Sequence, residues 1–205
     1  MLADRIERDT SCRLRFHVPT PAKPQLGSFR LVPPQSAEAN AQEFAIIREG
    51  DHRFDYRHMD VIEAVVEACQ VALWQSRPLE VTIDSRGGYA EHAFTIAEHL
   101  AHVAEYGKVQ VVTRRSCMSG ALIILTSVPL KARYAVRNTQ FVMHAARDLG
   151  QRTQKTRAFD LKMIHHFSEA TGLRQTDLAE IMRTGLDYGF NAKAALSHGL
   201  VGHIV

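Results

Sequence analysis

The chain has 205 residues, is 45% hydrophobic and carries 25 basic against 22 acidic side chains; this suits one domain with one sizeable core, and a formal charge of +3 with no dense basic stretch excludes a nucleic-acid footprint. The first twenty residues include Asp4, Arg5, Glu7, Arg8, Asp9, Arg13 and Arg15, which excludes the apolar stretch of a secretory signal, and no apolar run approaches the roughly 20 residues that span a bilayer. Cys12, Cys69 and Cys117 form no Cys-x-x-Cys pair, so a soluble cytoplasmic protein with reduced thiols is expected, without a zinc site or membrane contact.

In chain order, residues 1–42 read as an irregular, mobile N-terminal segment. Pro19, Pro21, Pro24, Pro33 and Pro34 fall there among Ser, Ala, Gln and Asn, a mixture that interrupts helices and removes strand donors. The folded domain is expected over 43–205. Phe44 to Arg48 suits a short buried strand, and from His58 onward Ile62, Val65, Val66, Cys69 and Leu73 recur at helical spacing. Leu79, Val81 and Ile83 alternate as a strand before Ser85-Arg86-Gly87-Gly88; Ala93, Phe94, Ile96, Ala97, Leu100 and Ala101 then form an apolar helical face. Val109 to Val112 predicts a third strand, Ser119 to Thr126 a helix led by small residues, and Ala132 to Val136 with Phe141 to Met143 two more strands. Such alternation predicts a mainly parallel sheet with helical crossovers. Beyond His144, Phe159 to Ala170 and Thr176 to Met182 are helical around Thr171-Gly172 and are expected to pack outward. Ala192 to Ser197 as a helix and Leu200 to Val205 as a strand close the chain.

Acyl transfer by serine needs a hydroxyl, a base, a group that orients the base, and N–H donors for the oxyanion. Ser119 stands where a strand gives way to a helix, and the Gly120 amide falls in a first helical turn, where amides have no intrahelical acceptor. Gly87-Gly88 closes another strand and can turn an N–H toward the same point. From spacing alone a helix cap and a plain turn remain open for these residues.

Val81-Thr82-Ile83-Asp84-Ser85-Arg86-Gly87-Gly88, Ser116-Cys117-Met118-Ser119-Gly120-Ala121, Arg133-Tyr134-Ala135-Val136-Arg137-Asn138 with Phe141-Val142-Met143-His144, and Asp187-Tyr188-Gly189-Phe190-Asn191-Ala192 with Ala195, Gly199, Leu200 and Val201 follow in that order. Together they resemble four blocks of the proteolytic subunit of the Clp protease family. These are the strand ending in Asn-Ser-Pro-Gly-Gly, Gln-Ala-Ala-Ser-Met-Gly at the nucleophile, Arg-Phe-x-Leu-Pro-Asn before the catalytic histidine, and the block opened by the catalytic aspartate. The 25 positions from Ser119 to His144 match the family without a gap. The resemblance implies an α/β fold of the ClpP/crotonase type, with repeated ββα units wound as a superhelix, a mainly parallel sheet and a projecting helical handle. It implies Ser119 as nucleophile, His144 as general base and then acid, Asp187 as the group orienting the imidazole, and the N–H groups of Gly88 and Gly120 as the oxyanion hole. It further implies a serine endopeptidase acting on peptides or unfolded proteins inside a homo-oligomer of stacked rings, without metal or cofactor, and with an unfoldase ATPase as a possible partner.

The chain departs from the family at Arg86, where proline is usual, at Gly120, where methionine is usual, and at Tyr188, where an arginine used in ring contacts is common. The stretch from His144 to Asp187 is short, which suggests a trimmed handle, and residues 1–42 do not resemble the family's N-terminal pore loops. Ser116 and Cys117 are rival nucleophiles that lose the spacing to His144. Lys131 is the rival base of a Ser-Lys dyad, read as a surface charge. His165-His166 and the histidines at 52, 58, 92, 99 and 102 are read as helix-surface or loop residues. Two alternatives stand beside the peptidase: a non-catalytic scaffold subunit and a crotonase-type acyl-CoA enzyme.

Overall fold

The structure is a computed structural model that describes residues 13–17, 19–21, 26–28, 43–47, 57–74, 78–106, 109–148 and 151–205. Its strands are β1 (Arg13–His17), β2 (Pro19–Pro21), β3 (Leu26–Ser28), β4 (Glu43–Ile47), β5 (Leu79–Ser85), β6 (Val109–Met118), β7 (Arg133–Ala135), β8 (Gln140–Met143), β9 (Tyr188–Asn191) and β10 (His203–Ile204). The helices are α1 (Arg57–Trp74), α2 (Ala90–Tyr106), α3 (Gly120–Thr126), α4 (Gln154–Ala170), α5 (Gln175–Thr184) and α6 (Ala192–Ser197), with one 3-10 turn at Leu130–Ala132.

The main sheet runs β10-β7-β6-β5-β1-β4, with β8 branching from β6 and β9 added to β8. Pairings among β5, β6, β7, β8 and β10 are parallel, as the alternation of strands and helices in the sequence predicts; β1 is antiparallel to β4 and β5, and β9 to β8. Parallel strands need crossovers that cover the sheet faces, so their side chains become core. Val81, Ile83 and Val111 are accordingly fully buried, as are Leu122, Ile123 and Leu125 of α3. Burial pushes the Cys69 thiol up to about 12, which keeps it protonated and unreactive at neutral pH.

β6 is longer than the Val109–Val112 strand expected from sequence because it serves two neighbours in turn. Val111 to Thr113 pair with β7, whereas Ser116 to Met118 pair with β8. Between them the register with β5 jumps from Ile83↔Thr113 to Ser85↔Cys117, the mark of a bulge that re-aims the strand. Arg115 sits in it at φ 52°, a left-handed conformation that costs a non-glycine residue about 1–3 kcal/mol. Asp84 at the end of β5 holds the bulge in place. Its buried carboxylate pairs with Arg115 and accepts the Ser116 hydroxyl at 2.9 Å. The end of β6 is thereby aimed at the end of β8.

The sequence reading starts the domain at residue 43, yet β1 lies within the main sheet between β5 and β4. Leu14 and Phe16 alternate with Arg13, Arg15 and His17, a period-2 strand signal masked by the prolines that follow. Outside β1, β2 and β3, residues 1–42 are not among those described.

Arg133 of β7 ties the helical layer to the sheet. Its guanidinium donates to the carbonyls of Val128 at 2.6 Å, Ala170 at 2.8 Å, Thr126 at 3.1 Å and Gly199 at 3.4 Å. These carbonyls lie at or just beyond the C-terminal ends of α3, α4 and α6, where acceptors lack intrahelical donors and a cation is favoured. Burial lowers the guanidinium to about 10, so it stays cationic at neutral pH. Arg133→Met strands those acceptors and is expected to lower unfolding stability by about 3 kcal/mol, read as a shift in the urea midpoint at unchanged slope.

His166 of α4 sets its Nε2 2.8 Å from the Thr126 hydroxyl. Burial, reinforced by Arg133, Lys162 and His165, holds its imidazole below the ordinary 6.5. The unfolded chain therefore takes up a proton, as pH falls through about 6.5, that the folded chain resists. Stability from this group is complete above that pH and is lost as pH falls through the lower folded value. Urea midpoints are expected to drop between about pH 7 and pH 5.5, and to drop less in His166→Gln.

Candidate active site

β6 ends at Met118 and α3 begins at Gly120, so Ser119 alone turns strand into helix. It does so at φ 53° and ψ −124°, a region that a β-carbon resists. Its N–H donates to the Val142 carbonyl at 2.8 Å, and its carbonyl accepts the Leu122 N–H at 3.0 Å. Ser119 occupies the helix N-cap position, but its side chain makes no capping bond. The plain cap left open by the sequence is therefore not how this hydroxyl is used.

The turn between β5 and α2 closes against it. Gly87 has φ 105°, and a β-carbon there would fall 2.4 Å from Ser119 Cβ, 2.7 Å from the Met118 carbonyl oxygen and 3.1 Å from Ser119 Oγ. Only glycine fits both the conformation and the space. A β-carbon on Gly120 would meet Ala93 Cβ and the Gly88 carbonyl oxygen at 3.2 Å, and the Gly88 nitrogen at 3.5 Å. Ser119, Gly87, Gly88 and Gly120 thus form one backbone cluster at the ends of β5 and β6.

His144 follows β8 directly. The Ser119 amide bonds to Val142, two residues earlier, so one hydrogen bond joins the serine turn to the strand carrying the imidazole. His144 is half-buried, with Nδ1 2.7 Å from the Ala145 carbonyl oxygen. A carbonyl can only accept, so Nδ1 carries the proton and Nε2 keeps its lone pair in the neutral ring. That is the tautomer a general base requires.

β9 pairs with β8 through Met143↔Tyr188, so Asp187 and His144 are the residues that flank the last pair of this antiparallel register. Its carboxylate, however, takes Arg147 Nη2 at 3.0 Å, and its side chain is 61% exposed. The chain segments of the three residues meet, while the Asp187 and His144 side chains each hold another partner.

The rivals lie elsewhere or are engaged. Cys117 is buried in the core and Ser116 donates to Asp84. Lys131 precedes β7, which pairs with the Val111 end of β6, remote from the Ser119 end. His165 is exposed, and His166 is packed against Thr126 and, edge-on, against Phe94. His92, expected on the surface, is half-buried edge-on to Tyr89, and burial lowers its imidazole below the ordinary value. His52 lies outside the described residues.

Asp160 of α4 is a site neighbour that the sequence reading misses. Its buried carboxylate accepts the Ala146 N–H at 2.7 Å and pairs with Arg152 at 2.5 Å. Burial raises it above the usual carboxylate range, against the opposing pull of the Ala146 amide, Arg152 and His144. Arg152 also donates to the Met182 carbonyl, so the chain is fastened at Ala146 to α4 and at Arg152 to α4 and α5. Between Phe159 and Leu161, Asp160 looks like any polar position of an amphipathic helix, and no motif marks it.

The sequence model of the Clp protease family matches residues 60–205. Among solved structures, a ClpP1 mutant from Listeria monocytogenes has a TM-score of 0.64 at 20% identity, covering 71% of this chain and 84% of that chain. ClpP1 from the same organism has a TM-score of 0.62 at 20% identity over the same shares. A peptidase from Plasmodium falciparum has a TM-score of 0.59 at 16% identity, covering 71% of this chain and 88% of that one. No curated protein matches the sequence. With the family pattern running from within α1 to the last residue and a ClpP-like fold around Ser119, the chain belongs to the Clp protease family.

Proposed function

We propose that the chain is a serine endopeptidase with Ser119, His144 and Asp187 as its triad and the amides of Gly88 and Gly120 as its oxyanion hole. The observation that carries this reading is the backbone at Ser119. A strained turn pressed against Gly87 presents a hydroxyl that the helix does not use. In the reaction, His144 Nε2 takes the hydroxyl proton as Ser119 Oγ attacks the scissile carbonyl carbon. Charge develops on the carbonyl oxygen and is met by the two glycine amides. The C–N bond breaks, His144 returns its proton to the leaving amine, and water releases the acyl group by the same steps in reverse. Asp187 stabilises the imidazolium through Nδ1.

The substrates on this reading are peptides or unfolded chains, and no metal or cofactor enters the chemistry. The working form is a cytoplasmic homo-oligomer of stacked rings, with an unfoldase ATPase as an optional feeder. Family membership supports the oligomer, as does apolar surface flanking Asp187. Leu186 is 70% and Tyr188 44% exposed, and large apolar side chains beside a site suit coverage by a neighbouring subunit. The second reading, a non-catalytic subunit of such an assembly, is favoured by one observation: Asp187 is held by Arg147.

Labelling with a fluorophosphonate and peptide mapping separates the two. Modification of Ser119 is expected, lost in Ser119→Ala and His144→Ala, with kcat on a fluorogenic peptide down at least about 10⁴-fold in each. A label mapped to another residue, or none in any oligomeric state, overturns the peptidase reading. Gly87→Ala drives a methyl into Ser119 and is expected to cut kcat about 100-fold while the chain still folds, checked by circular dichroism beside the peptide assay.

A further inference from the structure

Arg147 stands three residues beyond His144 and reaches across to the approach of β9. Its Nη2 donates to the Gly185 carbonyl at 2.6 Å and to Asp187 Oδ1 at 3.0 Å, gripping both the backbone that leads to Asp187 and the carboxylate itself. Just beyond β8, the Nδ1 proton of His144 is spent on the Ala145 carbonyl at 2.7 Å. That proton is the one an orienting carboxylate would accept. Each half of the expected Asp187–His144 bond is thus satisfied by a substitute, although the two residues flank the Met143↔Tyr188 pair that ends the β8–β9 register.

The surroundings confine the rearrangement to side chains. The Ala146 amide is anchored on Asp160, and Arg152 bridges Asp160 to the Met182 carbonyl, so the chain is fastened at Ala146 to α4 and at Arg152 to both α4 and α5. Arg147 and Asp187 are by contrast 36% and 61% exposed, free to exchange partners without disturbing the core.

We infer that Arg147 is a positioning residue that sets the partner of Asp187, holding the carboxylate off His144 in a resting arrangement of the site. This rests on the triad reading above. When Arg147 lets go, Asp187 turns to Nδ1 of His144, whose proton leaves the Ala145 carbonyl. A purely supporting arginine would have the opposite effect on removal, because Asp187 would lose its place.

The test is Arg147→Gln in the full chain, with Arg147→Met as a second variant if the first fails to fold. Expected is a rise in kcat of about two- to fivefold at unchanged KM, the factor that loss of an exposed ion pair converts to. Arg147→Lys, which keeps the cation, is expected to return kcat to the starting level. A crystal structure of Arg147→Gln is expected to show the Asp187 carboxylate within hydrogen-bond distance of His144 Nδ1. An unchanged or lowered kcat, or Asp187 still turned from His144, overturns the role of Arg147. Should the crystal structure show the exchange while neither chain hydrolyses peptide nor labels at Ser119, the peptidase reading fails and the partner exchange stands. Should Ser119 label normally and Asp187→Asn lower kcat while Arg147→Gln raises nothing, the peptidase stands and the inference about Arg147 falls.

Discussion

The approach of the Gly87 backbone to Ser119, closer than any β-carbon allows, is the constraint on which the rest of the site depends. It requires β5 and β6 to end level with each other, which a plain parallel pair of these lengths does not provide. The bulge at Arg114 and Arg115 takes up the extra length of β6 and turns its last residues from β7 to β8. Ser119 then has to leave the strand at a positive φ, and the Val142 carbonyl captures its amide as it does so. Two local strains, at Arg115 and Ser119, therefore serve one geometric end. Strain of this kind persists only where surrounding contacts over-determine it, and here Asp84 on one side and β8 on the other supply those contacts.

Buried ionic groups do related work in three places. Asp84 holds the bulge, Asp160 holds the stretch after His144, and Arg133 gathers carbonyls from the ends of three helices. Each of these three charges is hydrogen-bonded to irregular backbone or to the side chains that brace it, and none of the three stands isolated in the apolar core. An ion pair in a core gains little over well-packed apolar side chains. A charged fork that satisfies several orphaned carbonyls has no apolar substitute, because the carbonyls would remain. In this chain charge is buried where the backbone stops being regular, and the ends of β5, β6 and β8 are such places.

This explains what could be read from the sequence. Helices with a strong apolar period, such as Ala90–Tyr106, and the strands Leu79–Ser85 and Gln140–Met143 are local facts, written in the spacing of apolar residues. The glycine pair, the serine and the histidine are legible because each needs a residue type at a place that a motif can mark. The second half of β6 is not, since Arg114-Arg115-Ser116 looks like a loop until Asp84, some thirty positions earlier, is seen to satisfy it. β1 is hidden by neighbouring prolines. Asp160 and Arg133 act through distant carbonyls and amides whose positions only the folded chain defines. Arg147 lies in the same class, because its partner on the β9 approach comes near only through strand pairing.

Two energy scales meet at His144. Backbone register between β8 and β9, and the hydrogen bond from Ser119 to Val142, are part of the sheet, and breaking them means local unfolding. The Asp187–Arg147 contact is an exposed ion pair, worth at most about 1 kcal/mol, and the His144–Ala145 contact is a single bond between adjacent residues. The fold therefore fixes which segments meet and leaves the choice of side-chain partner nearly balanced. On the proposed reading, a substrate strand or a neighbouring subunit laid over Leu186 and Tyr188 tips that choice without disturbing the sheet. In the proposed peptidase, a site whose frame is rigid and whose last hydrogen bond is easily exchanged lets activity follow assembly or substrate without a second fold.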